Sequence, residues 1–103
     1  MSPKKHIVYL VIITARNKKD EIIELLVKSE AQLINTAYAR GSAKASSLLS
    51  AFGLTAEESK IISSGLLPGE KADELINLLN REHDFSKLNT GIAFSLPVEG
   101  LSY

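Results

Sequence analysis

The chain has 103 residues, of which 45% are hydrophobic, and it contains no cysteine. This length and apolar content suit one domain with its own core, and the lack of cysteine excludes disulfide bridges and thiolate metal sites. Twelve basic residues balance twelve acidic residues, so the net charge provides no long-range attraction to nucleic acid or to an anionic membrane.

The first predicted strand, His6–Ala15, is rich in β-branched residues and is apolar on both of its faces. The run is too short to cross a bilayer and lacks a small-residue cleavage site, so we interpret the protein as cytoplasmic and without membrane insertion. A strand with two apolar faces is typical of a sheet that is covered on both sides. Two helices can cover only one face, so the strand predicts that another copy of the chain covers the second.

The next elements are a helix, Lys18–Lys28, with Asn17 as its N-cap, and a strand, Leu33–Ala39. Apolar residues at helical spacing predict the buried stripe of this helix: Ile22, Ile23 and Leu26. The connection Arg40–Ser59 is too long for a hairpin turn. A short helix is predicted inside it from Leu48, Leu49 and Phe52, with a closing glycine at Gly53. Thr55–Glu58 then matches a capping box for one further turn.

The second half of the chain has the same order of elements. A third strand, Lys60–Leu67, is ended by Pro68-Gly69 and is followed by a second helix, Glu70–Glu82. The residues predicted to be buried in this helix are Ala72, Leu75, Ile76 and Leu79. A loop, His83–Thr90, then leads into the last strand, Gly91–Val98.

A repeated heptapeptide relates the two halves. Asp20–Leu26 (DEIIELL) returns as Asp73–Leu79 (DELINLL), and five of the seven residues are identical. The order βαββαβ with matching halves predicts a ferredoxin-like α+β sandwich, with a four-stranded antiparallel sheet and two helices on one face. Because no linker divides the chain, we expect residues 1–103 to form one domain.

Few residues have catalytic potential. His6 and His83 are the only histidines, and neither has a partner at the spacing of a metal site or a catalytic triad. The acidic pair of each heptapeptide lies in a first helical turn, where carboxylates are expected for their interaction with the helix dipole. An RNA-recognition module of this fold needs aromatic residues on its middle strands, and the third strand has none. These patterns argue against an enzyme and against a nucleic-acid-binding protein.

Two loops remain as candidate sites. Arg40–Ser47 (RGSAKASS) places cations, a glycine and hydroxyls before a predicted helix, which is a pattern suited to holding a phosphate. The same residues also fit a solvated loop that caps the helix through Ser46 or Ser47. Lys87–Gly91 (KLNTG) is either a simple turn or a second wall of the ligand site, with a glycine where backbone approaches another group.

The residues in these loops are similar to those of the PII signalling family, and the resemblance extends over essentially the whole chain. Phe85–Ser95 (FSKLNTGIAFS) aligns without gaps on the family's B-loop and final strand, which reads roughly TGKIGDGKIFV. Lys87, Gly91 and Phe94 fall on matching positions. Thr36–Gly41 (TAYARG) is similar to the strand that enters the family's T-loop.

PII proteins are trimers that bind adenine nucleotides in clefts between subunits and relay the energy and nitrogen state by pressing the T-loop against transporters, enzymes or regulators. The resemblance therefore implies a homotrimer in which residues 40–59 form a short, rebuilt T-loop and residues 83–90 form a B-loop. It implies no obligatory cofactor and no metal, with ATP, ADP or AMP as the effector. The loops and the resemblance together give the candidate ligand-binding residues Arg40, Gly41, Ser42, Lys44, Lys87, Asn89, Thr90 and Gly91.

The chain departs from the family at three places that matter for phosphate binding. Ser42 stands where the family has the T-loop arginine, and Ile92 replaces the lysine that follows the B-loop glycine. The sequence ends at Tyr103 without the family's basic C-terminal segment. Fewer cations mean fewer charge-assisted contacts to phosphate, for which Arg40 and Lys44 are the candidate replacements. Residues 40–59 contain no tyrosine, so uridylylation of a tyrosine there is excluded.

These observations predict a PII-like regulator that senses an adenine nucleotide or another small metabolite between its subunits. Its T-loop-like segment would then dock a transporter or an enzyme. Two alternatives remain at this point: a CutA-like trimeric binding protein, and a structural oligomer that holds no ligand. The scarcity of histidine and the absence of cysteine argue against the metal ligation that the first alternative suggests.

Overall fold

The computed structural model describes residues 6–39, 60–87 and 90–99. Within these ranges the chain forms four strands, two α-helices and one short 3-10 turn. In chain order the elements are β1 (Ile7–Ala15), a 3-10 turn (Arg16–Lys18), α1 (Lys19–Lys28), β2 (Gln32–Ala39), β3 (Lys60–Pro68), α2 (Gly69–Glu82) and β4 (Gly91–Pro97). The predicted connection over residues 40–59, including its short helix and capping box, lies outside the described residues.

The four strands form one sheet in the order β2-β3-β1-β4, and every neighbouring pair is antiparallel. This order, with a helix after β1 and another after β3, is the ferredoxin-like α+β sandwich that the repeated halves predict. The fold prediction is therefore confirmed, and the predicted strand boundaries agree with the structure to within one residue.

The start of α1 differs from the prediction. Asn17 lies inside the 3-10 turn, and Lys18 occupies the N-cap position without a side-chain hydrogen bond. The cause is local, because the Lys19 N–H already donates to the carbonyl of Arg16 and tightens the entry to the helix. The assignment of Asn17 as N-cap is therefore wrong.

One layer of the core lies between the sheet and the two helices, on what we call the helix face. Leu10 and Ile12 of β1 are fully buried there against Ile22 and Leu26 of α1. From α2, the residues of this core are Ala72, Leu75 and Leu79. Ile23, which was predicted to be buried, is only partly so, and Leu25 packs against the core instead. Ile76 is partly buried against the same core.

The opposite side of the sheet, which we call the second face, carries a second apolar cluster. Val11 and Ile13 of β1 are 8% and 2% exposed, and they pack with partly buried Ile62, Ile92 and Phe94. Among the described residues this cluster contains only strand residues. Both faces of β1 are therefore apolar in the folded chain, as the sequence predicts.

The helices of the described residues are too short and too polar to cross a membrane. The longer of the two, α2, has 14 residues.

Candidate ligand-binding site at one end of the sheet

The two candidate loops begin and end at the same end of the sheet. The last residue of β2, Ala39, pairs with the first residue of β3, Lys60, so the connection over residues 40–59 leaves and returns side by side. Lys60 also pairs with Ala15, and the neighbouring Thr14 pairs with Gly91 at the start of β4. The sheet register thus brings the residues that flank the 40–59 connection, Ala39 and Lys60, and the start of β4 to the end of β1.

The described candidate residues occupy a tight turn before β4. The backbone N–H of Lys87 donates to the carbonyl of Asp84 at 2.9 Å, and the N–H of Thr90 donates to the carbonyl of Lys87 at 3.4 Å. The Lys87 ammonium lies 3.5 Å from Asp84 Oδ1, with 72% of the lysine side chain exposed. Lys87 is therefore an accessible cation whose nearest carboxylate makes only a surface ion pair. The other candidates, Arg40, Gly41, Ser42, Lys44 and Asn89, lie outside the described residues.

Gly91 lies close to another group, as the sequence indicates, but the group is the ring of Phe85 in the same chain, which was not predicted. A Cβ at this position would lie 2.7 Å from Cζ of Phe85 and 3.0 Å from the carbonyl oxygen of Ile13. The Phe85 ring is buried in the helix-face core, 9% exposed, and fills the space where a side chain would start. The missing side chain therefore lets an aromatic ring anchor the turn. The aromatic residue within the predicted loop His83–Thr90 was the available signal.

The backbone before this turn is held in an uncommon conformation. Asp84 has a φ of 60°, which lies in the left-handed region, and it directly follows His83 at the end of α2. This geometry returns the Phe85 N–H to the carbonyl of Leu79 at 3.2 Å. His83 Nδ1 lies 3.3 Å from the Glu21 carboxylate of α1. The end of α2 is thus fixed both to its own last turn and to the first turn of α1.

A cluster of cations surrounds Tyr38 at the same end of the sheet. Arg16 Cζ lies 4.6 Å from the centroid of the Tyr38 ring. Lys19 Nζ lies 5.8 Å from the same centroid and donates to the Tyr38 hydroxyl at 3.4 Å. Lys18 lies between these two cations in the sequence. The cluster was not predicted, because it joins residues that are far apart in the chain.

The rest of the described surface shows no metal-binding group but has an open groove. Among residues 6–39, 60–87 and 90–99, there is no group of three or more His, Asp or Glu side chains that could hold a metal ion. A groove of about 390 Å³ lies between α2 and the C-terminal end of α1. It is lined by Ser29, Glu74, Leu75, Asn77, Leu78 and Arg81.

Comparison with protein-family models and with curated proteins gives no match. Solved structures do match. A protein from Thermus thermophilus, described as a PII-like signalling protein, is 17% identical with a TM-score of 0.65, and the match covers 89% of this chain and 85% of that chain. The apo form of CPII from Thiomonas intermedia, a nitrogen regulatory PII-like protein, is 15% identical with a TM-score of 0.65, over 89% and 88% of the two chains. CPII bound to ADP, AMP and bicarbonate is 17% identical with a TM-score of 0.61, over 94% and 96%. The chain therefore shares the fold of these PII-like proteins.

Proposed function

We propose that this protein is a cytoplasmic, homotrimeric PII-like regulator that binds an adenine nucleotide between its subunits and acts on a partner protein through residues 40–59. The observation that carries the proposal is the fold shared with CPII, which was solved with ADP and AMP bound. In this chain both candidate loops start from one end of that fold. The proposal is a regulator and not an enzyme.

The position of the loops within one chain favours a cleft between chains. β2 and β4 are the two edge strands of the sheet, and three strand spacings separate them. At about 4.8 Å a spacing, the start of the 40–59 connection and the turn before β4 are about 14 Å apart. A small ligand that contacts both loops is therefore bound most simply between two chains, by the β2 side of one chain and the β4 side of its neighbour.

The second face supports the trimer. Val11 and Ile13 lead an apolar cluster there, and Tyr9 and Leu96, which pair with each other at its rim, keep 37% and 49% exposure. A further copy of the chain that packs on this face would remove the exposed rim side chains, Tyr9 and Leu96, from water.

The small number of cations at the proposed site favours a ligand with few phosphate groups. Lys87 is the exposed cation of the described turn. Ile92, which stands where the PII family has a phosphate-contacting lysine, packs its side chain into the second-face cluster. An AMP or ADP ligand needs fewer charge-assisted contacts than ATP does. The proposed binding residues are Arg40, Gly41, Ser42, Lys44, Lys87, Asn89, Thr90 and Gly91.

The proposed mechanism is a change in the position or order of residues 40–59 on ligand binding. A ligand shifts these residues only if it binds one of their states better than the other. The regulated partner, a transporter or an enzyme, would then recognise one state of the segment.

Calorimetric titration with ATP, ADP and AMP, on protein whose mass is measured by light scattering, tests the proposal. We expect one saturable site per subunit in a trimer, weakened by Lys87→Ala or by Arg40→Ala. Lys28→Ala is a matched control, because Lys28 is 69% exposed and lies 3.7 Å from Glu24, much as Lys87 lies beside Asp84. A trimer that binds none of the three nucleotides would refute the nucleotide part of the proposal. Equal weakening by Lys87→Ala and Lys28→Ala would refute the assignment of Lys87.

A further inference from the structure

The cluster of Arg16, Lys18, Lys19 and Tyr38, which we call the Tyr38 cluster, places three cations at the start of α1, next to the acidic residues Asp20 and Glu21 of its first turn. α1 begins at Lys19, and the N-terminal end of a helix carries partial positive charge, so cations there are unfavourable. Three cations within four residues also repel one another. Departures from local preference of this kind are expected where a surface has a function.

The cations of the cluster form no ion pair with the described part of the chain: in the described ranges, none of the three has a carboxylate within ion-pair distance. Of the two acidic residues in the first turn of α1, Glu21 lies 3.3 Å from His83, and Asp20 is exposed beside Lys19 without pairing with the cluster. With twelve basic and twelve acidic residues in the whole chain, this local excess of positive charge is not part of a general one.

Tyr38 contacts two of the three cations of the cluster. Arg16 Cζ lies over the ring at 4.6 Å from its centroid, and a guanidinium held on a ring in this way can still donate to a carboxylate, whereas Lys19 donates to the Tyr38 hydroxyl at 3.4 Å. Tyr38 keeps 48% exposure, so the ring and its two cations stand at the surface. A preordered arginine loses less conformational entropy on binding than a free one does.

We infer that the Tyr38 cluster is a docking surface for an acidic segment of the regulated partner. This inference rests on the proposed function, because Tyr38 lies two residues before Arg40, where the proposed partner-docking segment begins. A partner that engages residues 40–59 comes within reach of the cluster. The acidic segment supplies the carboxylates that the cluster lacks among the described residues, and pairing with them removes the repulsion at the start of α1.

The test uses a fluorescein-labelled peptide of alternating Glu and Ser residues, with a Gln/Ser peptide as the uncharged probe, followed by fluorescence anisotropy. The triple variant Arg16→Gln, Lys18→Gln, Lys19→Gln is expected to bind the acidic peptide about tenfold more weakly than the unchanged protein does. A control triple, Lys28→Gln, Lys71→Gln, Arg81→Gln, removes the same charge elsewhere and is expected to change binding by less than about twofold. Tyr38→Leu keeps every cation but loses the ring, and it is expected to weaken binding about threefold.

Several outcomes would overturn the inference: no binding of the acidic peptide to the unchanged protein, equal loss in both triple variants, or equal binding of the uncharged peptide. Circular dichroism on each variant checks that the fold is retained. Titration of the same variants with ADP separates this inference from the proposed function. If the cluster variant also loses ADP, the cluster belongs to the nucleotide cleft and the docking surface is refuted. If no protein binds ADP but the peptide results hold, the nucleotide proposal fails and the docking surface stands.

Discussion

The two faces of the sheet carry comparable apolar residues but are covered in different ways. On the helix face, Leu10 and Ile12 are fully buried by helices of the same chain. On the second face, Val11 and Ile13 are surrounded by strand residues in the described part of the chain, and Leu96 at the rim is 49% exposed. The comparison teaches that alternation along a single strand can build two apolar clusters: one lies under the helices of the same chain, and the other is formed with neighbouring strands and has an exposed rim.

The largest effect is expected on the helix face. Leu26→Ala empties a fully buried position in α1 and should lower the free energy of unfolding by about 2–5 kcal/mol. Urea unfolding at a fixed protein concentration measures it. Val27→Ala is the control, because Val27 is the next residue and is 59% exposed, and its cost should stay within about 0.5 kcal/mol. Similar losses in both variants would show that this face is not the one that holds the subunit together.

On the second face the effect should appear in assembly and not in the fold. Leu96→Glu places a carboxylate on the rim that we propose is buried in the trimer, and it should weaken association about a hundredfold. Val27→Glu places the same charge on an exposed position of the helix layer, 59% exposed against 49% for Leu96, and should leave the mass of the assembly unchanged. Light scattering over a dilution series measures both. A trimer that survives Leu96→Glu at all concentrations would contradict an assembly through this rim.

The contact between Gly91 and Phe85 extends the comparison to the end of the helix face where β4 starts. Gly91→Ala forces a Cβ to within 2.7 Å of the Phe85 ring and should cost about 1–3 kcal/mol of stability. Thermal unfolding measures this cost. Gly69→Ala is the control, since its added Cβ would meet its nearest neighbour at an ordinary 3.6 Å. Phe85→Leu combined with Gly91→Ala should show coupling, because the smaller side chain relieves the clash. Strictly additive costs would mean that the ring does not anchor the turn.

The parts of the molecule that were predictable from the sequence are those set by the regular spacing of apolar residues along a helix or strand. The repeated heptapeptide places Ile22 and Leu26 of α1 at the same positions as Leu75 and Leu79 of α2, and all four are buried. A single turn of helix is enough to set that pattern. The strand order followed from the matching halves, because few topologies join such halves without long crossings.

The features that escaped prediction depend on contacts between different parts of the fold. The Phe85 ring against Gly91 joins a loop to the start of a strand, and the Arg16 side chain on Tyr38 joins the turn after β1 to β2, which the spacing of residues within one element does not specify. The left-handed conformation of Asp84 was not predicted either, although aspartate is among the non-glycine residues that adopt it most often. The candidate ligand residues in the 40–59 connection remain predictions.

The smallest effect on stability is expected at two adjacent serines of β3, which lie on opposite faces of the sheet. Ser63 is fully buried on the helix face, opposite Ile12, and its hydroxyl has no hydrogen-bond partner among the described residues. Ser64 lies on the second face, opposite Val11, and its hydroxyl accepts a hydrogen bond from the Tyr9 hydroxyl at 2.8 Å. An unpaired buried hydroxyl costs stability, whereas a paired one contributes a little.

Ser63→Ala should therefore raise the free energy of unfolding by up to about 1 kcal/mol, because it removes a buried polar group that bonds to none of the described residues. Ser64→Ala should lower it by about 0.5–1.5 kcal/mol, because the Tyr9 hydroxyl loses its acceptor. Tyr9→Phe combined with Ser64→Ala removes both partners and should recover part of that loss. Urea unfolding of the three variants measures these differences. A loss of stability in Ser63→Ala as large as that in Ser64→Ala would mean that both hydroxyls are paired, and that the two faces treat their polar groups alike.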